Sequence, residues 1–143
     1  MEKLFERQAI LGTIDPDAYA AGTYNTDWVP MSKFRQAEFD VMVGTFGADA
    51  TVDFKLQEAT SSGGAGAQDL SGKAITQLVD GDDDKQAIVN VRADELSDGY
   101  HYVCGVLVIA TEAVDAAVLV KGGDPVYLPA SDFDLDSVDE IVP

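Results

Sequence analysis

The chain has 143 residues and a single cysteine, so it can bury the core of one domain and cannot form an internal disulfide. Its 9 basic and 26 acidic residues give a net charge of −17, which argues against nucleic-acid binding because a phosphate backbone requires clustered lysine and arginine. No apolar run has the length of a signal-peptide core or a membrane helix, so we expect neither a cleaved signal nor a membrane anchor.

The N-terminal part of the chain differs from the rest in charge. Residues 1–36 carry four basic and five acidic side chains, whereas residues 37–143 carry five and twenty-one. Pro16 breaks any helix that begins before it. Four large apolar side chains in this part follow no regular period: Leu4, Phe5, Ile10 and Leu11. We interpret residues 1–20 as an extended arm.

Two alternating stretches lie within residues 37–58, and the other predicted elements surround them. Each stretch places apolar side chains on one face and polar side chains on the other, a period of two that indicates a half-buried strand. The apolar positions are Phe39, Val41, Val43, Val52, Phe54 and Leu56. Gly44 and Gly47 lie in the break, so we predict two strands joined by a short antiparallel turn.

Further strands are predicted on both sides of this pair. Residues 22–31 read as an edge strand, because Pro30 cannot donate a ladder hydrogen bond. After a glycine-rich loop at 59–72, the predicted strands are 73–79, 86–93, 100–111 and 116–122. The strand at 100–111 is apolar on both faces, which is typical of a central strand, and we predict that the strand at 116–122 is its partner.

The pattern as a whole predicts an all-β protein. Seven or eight short strands with turn signals between them, and no convincing helix, favour an antiparallel β-sandwich or jelly roll. We expect a single domain over residues 1–143, with its body at 21–128. Residues 129–143 form an acidic tail that lies extended over the surface.

An acidic turn is the best candidate for a metal site. It offers four carboxylates of the kind that calcium prefers: Asp80, Asp82, Asp83 and Asp84. The twelve-residue spacing with a closing glutamate is missing, which excludes an EF-hand. We favour a solvated hairpin tip.

No pattern in the sequence indicates a catalytic or cofactor site. His101 and Cys104 are three residues apart on one predicted strand, which directs their side chains to opposite faces. The glycine-rich stretches match neither the phosphate-loop nor the dinucleotide pattern. We therefore expect no catalytic residue, no cofactor and no enzyme activity, and we interpret Cys104 as a small buried hydrophobe.

Five large apolar side chains are candidates for contact with a partner protein. They are Leu4, Phe5, Ile10, Leu11 and Trp28. The first four lie in the predicted arm. For Trp28 we favour a place in the core, where it would close the open end of the sandwich, over contact with a partner.

Four phrases of the sequence occur together in an order that resembles small virion proteins of tailed bacteriophages. They are VGTFGADATVDFKLQEA, DLSGKAITQL, DELSDGYHYV and GGDPVYLPAS, and the resemblance covers most of residues 37–131. It implies a structural part of the particle and carries over no catalytic residue.

The resemblance implies a decoration, or cement, protein on the outer surface of a phage capsid. Its partners would be the major capsid protein and further copies of itself. Decoration proteins commonly form trimers, so the resemblance leads us to predict a homotrimer. We expect the protein in the host cytoplasm during assembly and then on the virion. Alternatives are a head–tail joining or tail component and a carbohydrate-binding β-sandwich, for which the candidate aromatics are Tyr24, Trp28, Tyr100 and Tyr102.

Overall fold

The computed structural model describes residues 1–143 as ten strands, one α-helix and one 3-10 turn. The helix, α1 (Leu4–Arg7), has four residues, and no helix is long and apolar enough to cross a membrane. The 3-10 turn is Ala93–Glu95. The strands are β1 (Gln8–Tyr19), β2 (Gly22–Asn25), β3 (Val29–Pro30), β4 (Phe34–Phe46), β5 (Thr51–Ala59), β6 (Gln68–Ala74), β7 (Leu78–Val79), β8 (Gln86–Arg92), β9 (Tyr102–Ala110) and β10 (Val114–Pro125).

The strands form two antiparallel sheets packed face to face. The first sheet has the order β1-β10-β4-β8, and the second has the order β2-β9-β5-β6, with β3 paired to β9 and β7 paired to β5. The prediction of an all-β antiparallel sandwich is confirmed. The doubly apolar strand β9 lies between β2 and β5, and its outward-facing Cys104 and Val106 are also buried.

The predicted hairpin within residues 37–58 is wrong in its pairing. Both strands are present, but β4 pairs with β10 and β8, and β5 pairs with β9, β6 and β7. The chain crosses from one sheet to the other between Phe46 and Thr51. Likewise β9 and β10, predicted as partners, lie in opposite sheets. Alternation identifies the buried face of a strand. It does not show whether two successive strands pair within one sheet or pack against each other from opposite sheets.

Two of the crossings between the sheets, β4–β5 and β9–β10, lie side by side. The Gly47 N–H donates to the Ala113 carbonyl at 2.8 Å, which ties the β4–β5 connection to the β9–β10 connection. A Cβ at Gly47 would lie 2.6 Å from the Cβ of Glu112, so this position needs glycine. Both crossings therefore share one end of the sandwich.

The main core consists of one cluster of 22 buried residues contributed by both sheets. Phe39 of β4 and Phe54 of β5 face each other across it, with ring centroids 6.2 Å apart. Gly105 of β9 leaves room for this pair, because a Cβ there would lie 2.5 Å from Phe54 Cζ. The aromatic pair thus depends on a missing side chain in the neighbouring strand.

The extended arm predicted over residues 1–20 is also wrong. Residues 8–19 form β1, a full edge strand of the first sheet paired with β10, so the body begins at residue 8 and not at residue 21. Two register shifts, between Ile10 and Gly12 and between Ile14 and Asp17, interrupt the alternation that would have identified the strand. Pro16 is tolerated because it lies within the second shift on an edge strand.

The region after β5 differs from its prediction as well. β6 begins at Gln68, inside the predicted loop 59–72, and the predicted strand 73–79 is divided between β6 and β7. Only Leu70 of β6 is buried. An exposed edge strand therefore carries almost no apolar alternation from which it could be predicted.

Glu58 is a buried carboxylate on the inner side of β5, with 1% of its surface exposed. It accepts hydrogen bonds from Gln68 Nε2 at 2.7 Å, the Ser97 N–H at 2.8 Å and the Ser97 hydroxyl at 2.5 Å. Burial raises the pKa of the Glu58 carboxyl, but the hydrogen bonds from Ser97 and Gln68 outweigh burial and hold the pKa below its ordinary value. Glu58 thereby fastens the turn after β8 to the start of β6.

Replacing Gly105 with alanine tests the packing of the aromatic pair. We expect Gly105→Ala to lower the free energy of unfolding by about 1–3 kcal/mol, because the new methyl group overpacks the core. Gly12→Ala is the matched control, since no atom lies within 4 Å of a Cβ at Gly12. Urea denaturation of both variants measures the difference. Equal stability of the two variants would contradict the close fit at Gly105.

The lowered pKa of Glu58 predicts how stability depends on pH. A carboxyl whose pKa is lower in the folded state contributes its full stabilisation above the ordinary value of 4.5, and that contribution is lost as pH falls through the folded pKa. We expect urea denaturation to show a steeper loss of stability in acid for the wild type than for Glu58→Gln. Asp98→Asn, which removes an exposed carboxylate, should keep the wild-type slope. A wild-type slope in Glu58→Gln would contradict this role.

Candidate partner-binding surface

The two ends of the chain meet at the β1 edge of the first sheet and form an apolar groove. Helix α1 and the start of β1 supply one wall, and residues 133–143 supply the other. The groove has a volume of about 480 Å³. Its apolar lining consists of Leu4, Phe5, Ile10, Phe133, Val138, Ile141, Val142 and Pro143.

The C-terminal tail is fixed in place by contacts with the N-terminal segment. The Ala130 N–H donates to the Glu6 carbonyl at 2.6 Å, and the Asp134 N–H donates to the Ile10 carbonyl at 2.7 Å. An ion pair joins Lys33 to Asp132. The tail thus satisfies carbonyl groups along the free side of the N-terminal segment, a common way to protect the edge of a sheet.

A small second core lies beneath the tail. Ala9, Phe34 and Ala130 are buried together, with Leu11 and Phe133 packed against them. A Cβ at Gly122 would lie 2.7 Å from both Leu11 and Phe34, so β10 approaches this cluster closely. Phe133 contacts this core and also lines the groove, which links the groove to the body of the protein.

The surface formed by the termini is unusually apolar. Of eleven large apolar side chains that are exposed, eight belong to residues 1–4 or 126–142. Three of the eight, Leu4, Ile141 and Val142, come together in the lining of the groove, and exposed apolar side chains grouped in this way are typical of an interaction surface. The eight are Met1, Leu4, Val126, Tyr127, Leu128, Leu135, Ile141 and Val142. We refer to these eight residues and the groove as the terminal surface.

The charge of the terminal surface is unevenly distributed. Residues 126–143 contain five carboxylates and no lysine or arginine, whereas residues 1–7 contain two acidic and two basic side chains. Lys3 and Glu140 lie in the lining of the groove itself. The terminal surface therefore combines an apolar centre with a largely acidic border.

The five side chains predicted to contact a partner occupy three different environments. Leu4, Phe5 and Ile10 come together in the groove, with Leu4 69% exposed. Leu11 packs against the second core instead. Trp28 is half-buried against the loop after β5, where a Cβ at Gly64 would lie 2.6 Å from its indole nitrogen.

Sequence reasoning missed the other wall of the groove. Phe133, Ile141 and Val142 lie in a segment that was interpreted as an acidic tail over the surface. The available signal was the recurrence of large apolar residues among its carboxylates. Nothing in that recurrence identifies α1 as the contact, because the two segments are more than a hundred residues apart in sequence.

The acidic turn uses three of its four carboxylates within the fold. Asp83 Oδ1 accepts the Phe46 N–H at 3.0 Å, and Asp80 Oδ2 accepts the Asp49 N–H at 3.2 Å. Asp82 binds Lys85 Nζ at 2.8 Å and the Val79 N–H at 3.0 Å, and these hydrogen bonds lower the pKa of its carboxyl. No three histidine, cysteine, aspartate or glutamate side chains are grouped as metal ligands.

His101 and Cys104 lie in different environments. His101 is exposed just before β9, and Cys104 is buried with its Sγ atom 3.3 Å from the Thr26 carbonyl oxygen. Burial is the largest influence on the Cys104 thiol and raises its pKa, against the opposing hydrogen bond to Thr26. A raised pKa disfavours the thiolate, the reactive form of cysteine.

The aromatic side chains considered for carbohydrate binding do not all face solvent. Tyr24 packs beside the core, with its ring centroid 4.6 Å from that of Tyr19 and its hydroxyl donating to the Ala20 carbonyl at 2.9 Å. Tyr100 and Tyr102 are half-buried. Tyr24 is therefore unavailable to a flat aromatic platform.

Comparison with known proteins does not assign this chain to a family. No family model matches it, and no curated protein matches it. Among solved structures, a chain from the structure of infectious bursal disease virus, Gt strain, overlaps with 82% of this chain at 7% identity and a TM-score of 0.47. This chain spans about a third of that chain, 33% of its length.

Proposed function

We propose that the protein is a structural component of a bacteriophage virion that decorates the capsid from outside. It would bind the lattice of the major capsid protein and stabilise the shell. The observation that carries this proposal is that eight of the eleven exposed large apolar side chains lie in the two terminal segments, and that three of the eight line one groove. The resemblance of the sequence phrases to phage virion proteins is the reason for proposing a capsid protein as the partner.

The terminal surface is suited to docking on a shell because it is anchored before binding. The backbone hydrogen bonds of Ala130 and Asp134 and the second core hold its two walls together. A preorganised surface loses little conformational entropy on binding, which leaves more of its apolar burial available for affinity. The packed sandwich behind it would transmit load between neighbouring capsid subunits.

In this function the protein would have no enzyme activity, cofactor, nucleic-acid ligand or membrane anchor. The exposed position of His101 and the buried thiol of Cys104 favour a structural function for both. The net charge of −17 favours solubility during assembly in the host cytoplasm. The mature location would be the outer surface of the virion.

Binding to shells tests the terminal surface directly. We expect the wild-type protein to co-sediment with shells assembled from the major capsid protein of the same phage. Leu4→Ser should weaken binding about tenfold, because it removes roughly 1.5 kcal/mol of apolar burial. Val79→Ser is the control, since Val79 is 45% exposed but lies away from the termini. Equal binding by the two variants would exclude the terminal surface, and absence of the protein from purified particles would exclude the function.

The oligomeric state is a separate part of the proposal. We propose a homotrimer, in which closed symmetry would cover edge strands such as β8, whose only strand partner is β4. Because every copy carries a charge of −17, association should strengthen with salt. Sedimentation velocity should give three times the mass of one chain at about 0.5 M salt. A single-chain mass at low and high salt would exclude the trimer without affecting shell binding.

A head–tail joining or tail component remains the alternative within the virion. It would use the same apolar terminal surface against a different ring of subunits. Copy number separates the two functions, because a joining ring holds roughly a dozen copies and a decorated lattice holds hundreds. Quantifying the protein against the major capsid protein in purified particles gives this ratio.

A further inference from the structure

The outer face of the first sheet carries a second groove, distinct from the terminal surface. It lies between β1, β10 and β4 and consists of two adjoining hollows of about 460 and 120 Å³. Both hollows are lined by Pro16, Met42 and Ala117, with Ala18 at one end and Leu119 at the other. The floor is therefore apolar, although this face of the sheet is directed to solvent.

Irregularities in two strands coincide at this groove. The register of β1 against β10 shifts between Ile14 and Asp17, and the register of β10 against β4 shifts between Val114 and Ala116. A bulge bends its strand and re-aims side chains, which produces concavity on an otherwise flat face. Met42, on the solvent side of β4, is left 49% exposed on this floor.

Carboxylates surround the groove, and none of them has a basic partner. Asp17, Asp40, Asp84 and Asp115 line its hollows, no lysine or arginine does so, and none of the four takes part in an ion pair. Elsewhere on the same face, carboxylates are matched: Lys121 Nζ lies 2.7 Å from Glu38 Oε2. The Gln86 amide donates to Asp40 at 3.1 Å and the Ala18 N–H donates to Asp17 at 2.7 Å, but no basic group within the protein neutralises the charge at the groove.

The lysine that follows Asp84 in the chain is engaged elsewhere. Asp84 is held at the border by its N–H, which donates to the Gly44 carbonyl at 3.2 Å. Lys85, the next residue, binds Asp82 at 2.8 Å and so does not neutralise the border. A ligand with positive charge would supply the missing partner for these carboxylates.

We propose that this groove binds a protein segment in which an apolar side chain lies between lysine or arginine residues. The apolar side chain would cover Met42 and Ala117, and its basic neighbours would pair with Asp84 and Asp115. A second copy of this chain is disfavoured as the occupant, because facing grooves would bring two sets of unpaired carboxylates together. The proposal does not depend on the virion function.

A peptide titration of the full chain tests this proposal. The probe is a short blocked peptide of alternating lysine and leucine, added to isotope-labelled protein and followed by NMR. We expect saturable shifts at the amides of Met42, Gly44 and Ala117. The variant Asp84→Asn/Asp115→Asn should weaken binding about fivefold, as expected for the loss of two exposed ion pairs. Asparagine suits the positive φ of 60° at Asp84, so this variant should keep its fold.

A matched variant separates this groove from general attraction to an acidic protein. Asp27→Asn/Asp98→Asn removes the same charge from two exposed positions outside the groove and should leave the affinity unchanged. Met42→Ser should lower the affinity for the lysine–leucine peptide but not the affinity for a lysine–serine peptide. The proposal would be overturned if both charge variants lowered the peptide affinity equally. It would also be overturned if the amide shifts occurred outside the groove, or if binding did not saturate. Concentration-dependent shifts at the groove without peptide would assign it to a second copy.

Discussion

Packing of Phe39 against Phe54 across the two sheets is the contact on which the rest of the architecture depends. The rings belong to β4 and β5, strands that follow each other in the chain but lie in opposite sheets, and their centroids are 6.2 Å apart. Gly105 admits the pair, since any side chain there would occupy the position of the Phe54 ring. The connection after Phe46 therefore has to cross the sandwich, and the edges of both strands stay open to other partners.

The crossings also determine where the ends of the chain meet. The β9–β10 crossing delivers β10 into the first sheet, where it lies between β1 and β4. At the far end of β10, Pro125 is paired with Phe34, and the chain leaves beside the second core. The tail then reaches the N-terminal segment through Ala130 and Asp134. The terminal surface is thus a consequence of strand order and does not require a flexible arm.

Local patterns predicted the buried faces well and the partners of each strand poorly. Alternation around Phe39 and Phe54 identified which side chains are buried, and the doubly apolar run containing Cys104 identified a central strand. Strand pairing is a long-range property, and a period of two does not specify which strands are neighbours. β1 was missed because register shifts next to Leu11 and Pro16 break its period. Only one wall of the groove in the terminal surface was predicted, the wall formed by Leu4, Phe5 and Ile10, because the other wall belongs to residues 133–143, which are distant in sequence.

Charge explains why apolar surface can remain exposed on this protein. With a net charge of −17, two copies repel each other before apolar patches come into contact, and repulsion grows at the terminal surface, where five carboxylates lie in residues 126–143. The groove around Met42 carries four further unpaired carboxylates on its lining. Exposed apolar area bordered by one sign of charge discriminates among partners, because only a surface of opposite charge can approach closely enough to bury it. Both surfaces therefore favour a partner different from this chain.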